Sequence, residues 1–156
     1  MSIYSRFLVA VGDRRWFVAV ASRIAPPLDR VVYRITRGRR LATPPSVPTF
    51  FLTTTGRRTQ EPRTVALSYV EEGGDYIVVD TSWGRSSTPD WSLNLAANPQ
   101  AMIEMAGEQI LVEARAVTST EALALWATFC AMWPPYAEYR RRITGRIVRM
   151  IRLVER

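Results

Sequence analysis

The stretch from residue 49 to residue 80 constrains the fold most. Three runs rich in β-branched and aromatic residues, 49–55, 64–70 and 76–80, are separated by Gly56 and by the turn sequence EEGGD at 71–75. Runs of this length bounded by turn residues read as strands, and connections this short join strands antiparallel. They predict a three-stranded meander. A second hairpin is expected from 101–105 and 109–117 around Gly107. No alternation of strands with helices appears, which argues against a parallel sheet.

Helices are confined to a few places. In "STPDWSLNLAANP" a Thr88 cap, Pro89 at the first helical position and Asp90 beside it predict a short helix that Asn98-Pro99 ends. Thr118 and Glu121 have the spacing of a capping box and open a longer helix, with Leu123, Trp126, Ala127 and Cys130 as its apolar stripe and Pro134-Pro135 as its end. At the C-terminus Arg146, Arg149 and Arg152 recur every three residues as on a helix, but the β-branched content of "IVRMIRLV" favours a last strand. About six mostly antiparallel strands with helices inserted and appended give an α+β fold or a small barrel.

The remaining sequence divides by charge. Net charge is +7, and residues 1–43 hold all of it, with nine Arg against Asp13 and Asp29; residues 44–156 balance twelve Arg against twelve acids. Within the arm Trp16, Phe17, Val20 and Ile24, then Leu28, Val31, Val32 and Ile35 beyond Pro26-Pro27, fall on helical faces. Two short amphipathic helices are expected, followed by a proline-rich linker at 37–48. The organisation read from these features is a basic helical arm, 1–43, and a folded domain, 44–156. Such an arm suits peripheral contact with an anionic membrane on the cytoplasmic side. Its charged residues interrupt the apolar stretches too soon for a secretory signal, and no run approaches a membrane span. Its aromatics lie on amphipathic faces rather than on stacking platforms, so no nucleic-acid partner is expected.

Absences narrow the chemistry. The chain has no histidine, all 21 of its basic residues are arginine, and Cys130 is its one cysteine. Imidazole-based triads and dyads and the usual zinc sets are therefore excluded, and no metal site is expected. A single thiol on an apolar stripe reads as a buried, inert group in a reducing cytoplasm.

Two constellations remain. In "TTTGRRTQEPRT" a glycine turn carries Arg57, Arg58 and Arg63, which a hairpin does not require and which can make bidentate bonds to phosphate or carboxylate. A solvated basic loop is the plainer alternative. In "DTSWGRSSTPDWSLNL" a strand end runs through a Gly turn into a helix N-terminus, where amide dipoles can receive an electron-rich ligand edge; an ordinary strand-to-helix connection would look the same.

The order of these features, a basic "LTTTGRR...PRT" hairpin, a strand, a Gly turn into P-x-W-x-x-N-L-x-A-N-P, and P-x-Y-x-x-Y after a long helix, resembles the deazaflavin-dependent nitroreductase or quinone reductase family. The resemblance runs from about residue 31 to residue 154. It implies a split β-barrel of the flavin-reductase type that binds coenzyme F-420, an 8-hydroxy-5-deazaflavin with an anionic tail, and passes its hydride to a small-molecule quinone, enone or nitroaromatic acceptor. It also implies cofactor contacts from Thr55, Gly56, Arg57, Arg58, Arg63 and Thr64 around the tail and from Thr81, Ser82, Gly84 and Trp91 near the ring. Trp133, Tyr136 and Tyr139 would line the acceptor side, with Tyr136, Tyr139 and Thr81 as the catalytic candidates and Tyr136 preferred as proton donor. Trp83 and Ser92 stand where relatives usually carry a glycine and an aromatic. The alternative is a non-catalytic split-barrel protein that binds a lipid or another cofactor. Oligomeric state is left open.

Overall fold

The computed structural model describes residues 47–156 continuously, together with individual positions between 14 and 35. Seven strand segments form one antiparallel sheet: β1 Thr49–Thr55, β2 Pro62–Ser68, β3 Val70–Glu72, β4 Asp75–Val79, β5 Gln100–Met105, β6 Glu108–Ala116 and β7 Met150–Glu155. Their order across the sheet is β2-β1-β5-β6-β7-β4-β3. Tyr69 alone separates β2 from β3, so the first and last strands of the sheet are two halves of one bent run of chain. β2 pairs with β1 across Thr53 and Thr64, while β3 pairs with β4 across Val70 and Ile77. The sheet thereby curls round on itself, and the expected α+β split barrel is what forms.

The bend at Tyr69 is fixed by packing. Its ring stacks on Phe50 at 4.8 Å between centroids and meets Tyr76 edge-on at 5.4 Å, and its hydroxyl donates to Met105 Sδ at 3.0 Å. The alternation of each strand then sorts side chains into two cores. Phe50, Leu52, Val78, Ile103, Val112, Ile151 and Leu153 point into the barrel, while Ile77, Val79 and Met150 face outward. Fully burying a side chain of this kind stabilises the fold by about 1.5–3 kcal/mol.

Three α-helices accompany the sheet within residues 47–156: α1 Asp90–Ala97, α2 Ser119–Met132 and α3 Pro135–Arg142. α1 sends Trp91 and Leu95 into the barrel core. α2 and α3 cover the outer face of β4 and β7 with Leu125, Phe129, Tyr136 and Tyr139. The Thr118–Glu121 capping box forms as expected, with Thr118 N–H donating to Glu121 Oε2 and Glu121 N–H to Thr118 Oγ1. The C-terminal run is a strand, as the β-branched content indicated.

Three local expectations are corrected. The three-stranded meander does not form, because the chain breaks at Tyr69 and β4 pairs with β3 and β7 rather than with β2. α1 starts one residue later than expected: Pro89, with extended backbone, is the N-cap, and no side chain caps the helix, so Thr88 does not serve. The apolar stripe of α2 is also rotated. Leu125 and Phe129 are buried, Trp126 and Cys130 are half-buried, and Leu123 and Ala127 face solvent. α2 is apolar on several faces, and the sheet, rather than the spacing, chooses which one is covered.

In the arm, every described position on the two expected faces is helical, and Trp16, Val20, Ile24, Leu28, Val31 and Ile35 are exposed. Phe17 and most of the linker, 37–46, lie outside the described residues.

Candidate functional site

One end of the barrel gathers most of the chemistry. There the β1–β2 loop closes on itself, with Gly56 N–H donating to Glu61 O and Gln60 N–H to Gly56 O, both at 2.8 Å. Gly56 is dictated by space: a Cβ there would sit 2.9 Å from Thr59 Oγ1 and 3.1 Å from Glu61 O. The loop is stitched to α1 through Asn94, which is buried. Asn94 Oδ1 accepts from Arg57 N–H at 3.1 Å, and its Nδ2 donates to Thr54 Oγ1 at 3.1 Å. Arg57 also sends Nη1 to Asp90 Oδ1 at 2.8 Å.

The three loop arginines therefore differ. Arg57 is half-buried and committed to α1. Arg58 is exposed and has no partner among the described residues, and exposed Arg63 donates to the neutral Thr59 Oγ1 at 3.2 Å. Thr55 is half-buried at the end of β1, and Thr64 bonds Thr53 across the outer face at 2.9 Å.

On the other flank of α1, β4 gives way to Asp80 and the chain enters a turn with three successive positive φ values: Ser82 at 48°, Trp83 at 58° and Gly84 at 79°. Gly84 N–H donates to Thr81 O at 2.9 Å and Arg85 N–H to Ser82 O at 3.1 Å. A Cβ on Gly84 would lie 3.1 Å from Tyr139 Cα, so the turn presses directly on α3. Thr81 is buried; Ser82 and Trp83 are half-buried. The Trp83 indole tilts toward Tyr139 at 6.3 Å between ring centroids and joins the outer core.

The aromatic positions separate in the same way. Tyr139 adjoins the turn. Tyr136 packs edge-on against Phe129 at 5.5 Å and Tyr139 at 5.9 Å. Burial pushes the Tyr136 phenol well above its ordinary value; Tyr139 adds to the rise, and a hydrogen bond with Ser68 opposes it. That phenol keeps its proton at neutral pH. Trp133 caps the C-terminus of α2, half-buried against the same core, and Trp91 is held in the barrel interior rather than beside the turn.

Four residues not among the expected site residues organise this end. Asn94 is one; the others are Asp80, Arg146 and Arg149. Asp80 is fully buried, and its carboxylate accepts from Ser92 Oγ, Arg146 Nη1, Arg149 N–H and Arg149 Nε at 2.8–3.2 Å. Ser92, where an aromatic was the familiar residue, is here a buried donor to that acid. An acid closing an apolar strand was the available signal, since a buried carboxylate requires charged or donor partners. Among the described residues no group of acidic or thiol side chains could hold a metal ion.

The split barrel sets a basic loop and a glycine turn on either side of one helix, a frame that could hold an anionic cofactor. The sequence model of the F420H(2)-dependent quinone reductase family matches residues 28–153. The chain belongs to that family. An F420H(2)-dependent quinone reductase of Mycobacterium tuberculosis is 37% identical over 93 residues, 58% of this chain and 61% of that relative's length. A solved F420-H2 dependent reductase superposes with a TM-score of 0.61 at 31% identity, covering 68% of this chain and 93% of its own. Another solved structure, described as a domain-swapped dimer, gives 0.64 at 27% identity over 81% of this chain and 98% of its own.

Proposed function

We propose that this chain binds reduced coenzyme F-420 at the α1 end of the barrel and catalyses hydride transfer to a quinone, enone or nitroaromatic acceptor. When bound, the reduced deazaflavin supplies a hydride, so the protein has to provide neither nucleophile nor metal. One observation carries the reading: through buried hydrogen bonds α1 holds both the basic loop, by Asn94, and the left-handed turn, by Ser92 and Asp80, at the same end of the barrel. The side chains suit an anionic, flat cofactor. Exposed Arg58 and Arg63 offer guanidinium forks to an acidic tail, with Arg57 beside them, and Thr55, Gly56 and Thr64 shape the loop that presents them. The turn at Thr81, Ser82 and Gly84 brings backbone close to the ring, while Trp91 anchors the helix behind it.

Around the acceptor, Trp83, Trp133, Tyr136 and Tyr139 supply an apolar wall that excludes water, which strengthens any hydrogen bond inside. An acceptor gaining charge on oxygen is stabilised by a phenol aimed at it. Tyr139, which adjoins the turn, is the candidate in this reading. Titration with oxidised deazaflavin followed by turnover with menadione tests the proposal. Binding without turnover would instead favour the non-catalytic binding protein, a reading that the packing of Trp83 against Tyr139 would suit if the indole fills the ring site.

The same proposal extends to residues 1–43 as a peripheral arm on an anionic membrane surface, distinct from the barrel domain 44–156. Trp16, Val20, Ile24, Leu28, Val31 and Ile35 are exposed on it and it holds the whole net charge, with basic residues near such a surface contributing about 1 kcal/mol each. No helix among the described residues is long and apolar enough to cross a membrane. Full-length protein should sediment with anionic phospholipid vesicles at low salt and stay in solution with neutral ones. Equal behaviour with both would return the arm to packing on protein.

A further inference from the structure

The left-handed turn at the end of β4 is costly to hold. Two of its three positive-φ residues, Ser82 and Trp83, carry side chains, whose Cβ atoms crowd the following carbonyl in this conformation. Two hydrogen bonds inside the turn, Gly84 to Thr81 and Arg85 to Ser82, do not by themselves select this conformation over an ordinary loop.

Arg146 supplies the constraint from outside. It is 10% exposed, and one nitrogen reaches both ends of the turn: Nη2 donates to Asp80 O at 2.7 Å and to Arg85 O at 3.3 Å. Its other terminal nitrogen, Nη1, donates to Asp80 Oδ1 at 2.9 Å, which fixes the plane of the guanidinium. Asp80 is in turn immobilised by Ser92 and by the Arg149 backbone and side chain. The Nε–H of Arg146 is buried without a partner, a penalty tolerated in favour of the three contacts of the terminal nitrogens.

We propose that Arg146 is a positioning residue: its guanidinium, anchored on buried Asp80, staples the two ends of the Ser82–Gly84 turn and so preforms the backbone against which the deazaflavin ring is seated. The inference rests on the function proposed above. It assigns Arg149 a different part, since Arg149 bonds Asp80 but neither turn carbonyl.

That difference makes the test. Arg146→Lys retains the charge beside Asp80 and loses the fork, because an ammonium is a point charge without guanidinium geometry; Arg149→Lys removes one Asp80 contact and leaves the staple. Amide hydrogen exchange, measured without cofactor, should rise at least about tenfold at Gly84 and Arg85 in Arg146→Lys only, a change in the local opening equilibrium. Deazaflavin Kd should weaken in that variant, with kcat at saturation little changed. Exchange and affinity unchanged in Arg146→Lys, or changed equally in both variants, would overturn the staple. If Arg146→Lys does not fold, wild-type exchange decides: Gly84 and Arg85 must open together with the buried Asp80 amide, and free exchange there overturns the proposal. Wild-type protein that ignores deazaflavin sinks the functional reading and the ligand half of this inference, while the exchange comparison still judges the staple.

Discussion

Removing the three loop arginines one at a time should produce different losses, because the structure gives them different partners. Arg58 is exposed and has no partner among the described residues, so Arg58→Ala should leave stability within about 0.5 kcal/mol. In the proposed complex it removes one charge-assisted bond worth about 1.5–3 kcal/mol. At 1.4 kcal/mol per factor of ten, deazaflavin affinity should fall about ten- to a hundredfold. Arg63→Ala should behave alike, since its side chain bonds a neutral hydroxyl, that of Thr59. Arg57→Ala should weaken affinity and also break the ion pair with Asp90, whose side chain is 83% exposed. Solvent screening at such a site limits that loss to about 0–1 kcal/mol, and the Arg57 backbone bond to Asn94 survives the substitution. In all three, kcat at saturation should change little, because the contacts lie on the tail and not on the reacting atoms. Lys at position 58 should rescue only part of the loss. Fluorescence titration with deazaflavin, paired with thermal unfolding, provides the readout. Unchanged affinity in all three alanine variants would return the loop to an ordinary solvated hairpin.

Tyr139→Phe should lower kcat and leave deazaflavin affinity near wild type, by as much as about 2.7–4 kcal/mol of barrier if the phenol is placed like an oxyanion donor; stopped-flow oxidation at the wild-type rate would make it a packing residue. Asn94→Ala should destabilise the domain, leaving the Arg57 N–H unmet and Thr54 Oγ1 with only its own bond to Arg63 O, at a net loss of about 1–3 kcal/mol. For a domain of roughly 100 residues that is a Tm lowered by about 4 °C or more, and a Tm equal to wild type would contradict the account. Burial raises the Tyr136 phenol above the unfolded value of about 10, so folded protein retains that proton after the unfolded chain has lost it. The stabilisation is complete below pH about 10 and is lost as pH rises through the higher folded value; Tyr136→Phe should flatten this alkaline decline in denaturant midpoints, and parallel curves would refute the assignment.

Features carried by neighbouring residues were legible in the sequence. The Thr118–Glu121 box, the 106–107 hairpin and the strand character of the C-terminus each depend on residues a few positions apart. What sequence reading could not reach depends on distant partners. The break at Tyr69 comes from Phe50, Tyr76 and Met105 closing round one ring, and no local signal announces it. The threefold spacing of Arg146, Arg149 and Arg152 looked helical, yet two of these arginines clamp Asp80 and the third pairs with Glu72 and Asp75. The helix α2 had several apolar faces to offer, so the covered one awaited the sheet. At the site, residue types and their order identified the basic loop and the turn. They did not reveal that Asn94 and Ser92 join the two, or that Trp91 and Tyr136 are largely committed to packing.

The most direct test of the central claim is a single-turnover experiment. Protein loaded with reduced deazaflavin is mixed with menadione in a stopped-flow instrument, and cofactor oxidation is followed with protium or deuterium at carbon 5 of the deazaflavin. The account predicts saturable binding, oxidation of the bound cofactor on mixing, and a slower rate with deuterium, because the transferred hydride leaves that carbon in the measured step. Cofactor that fails to bind, or that binds and stays reduced in the presence of quinone acceptors, would contradict it.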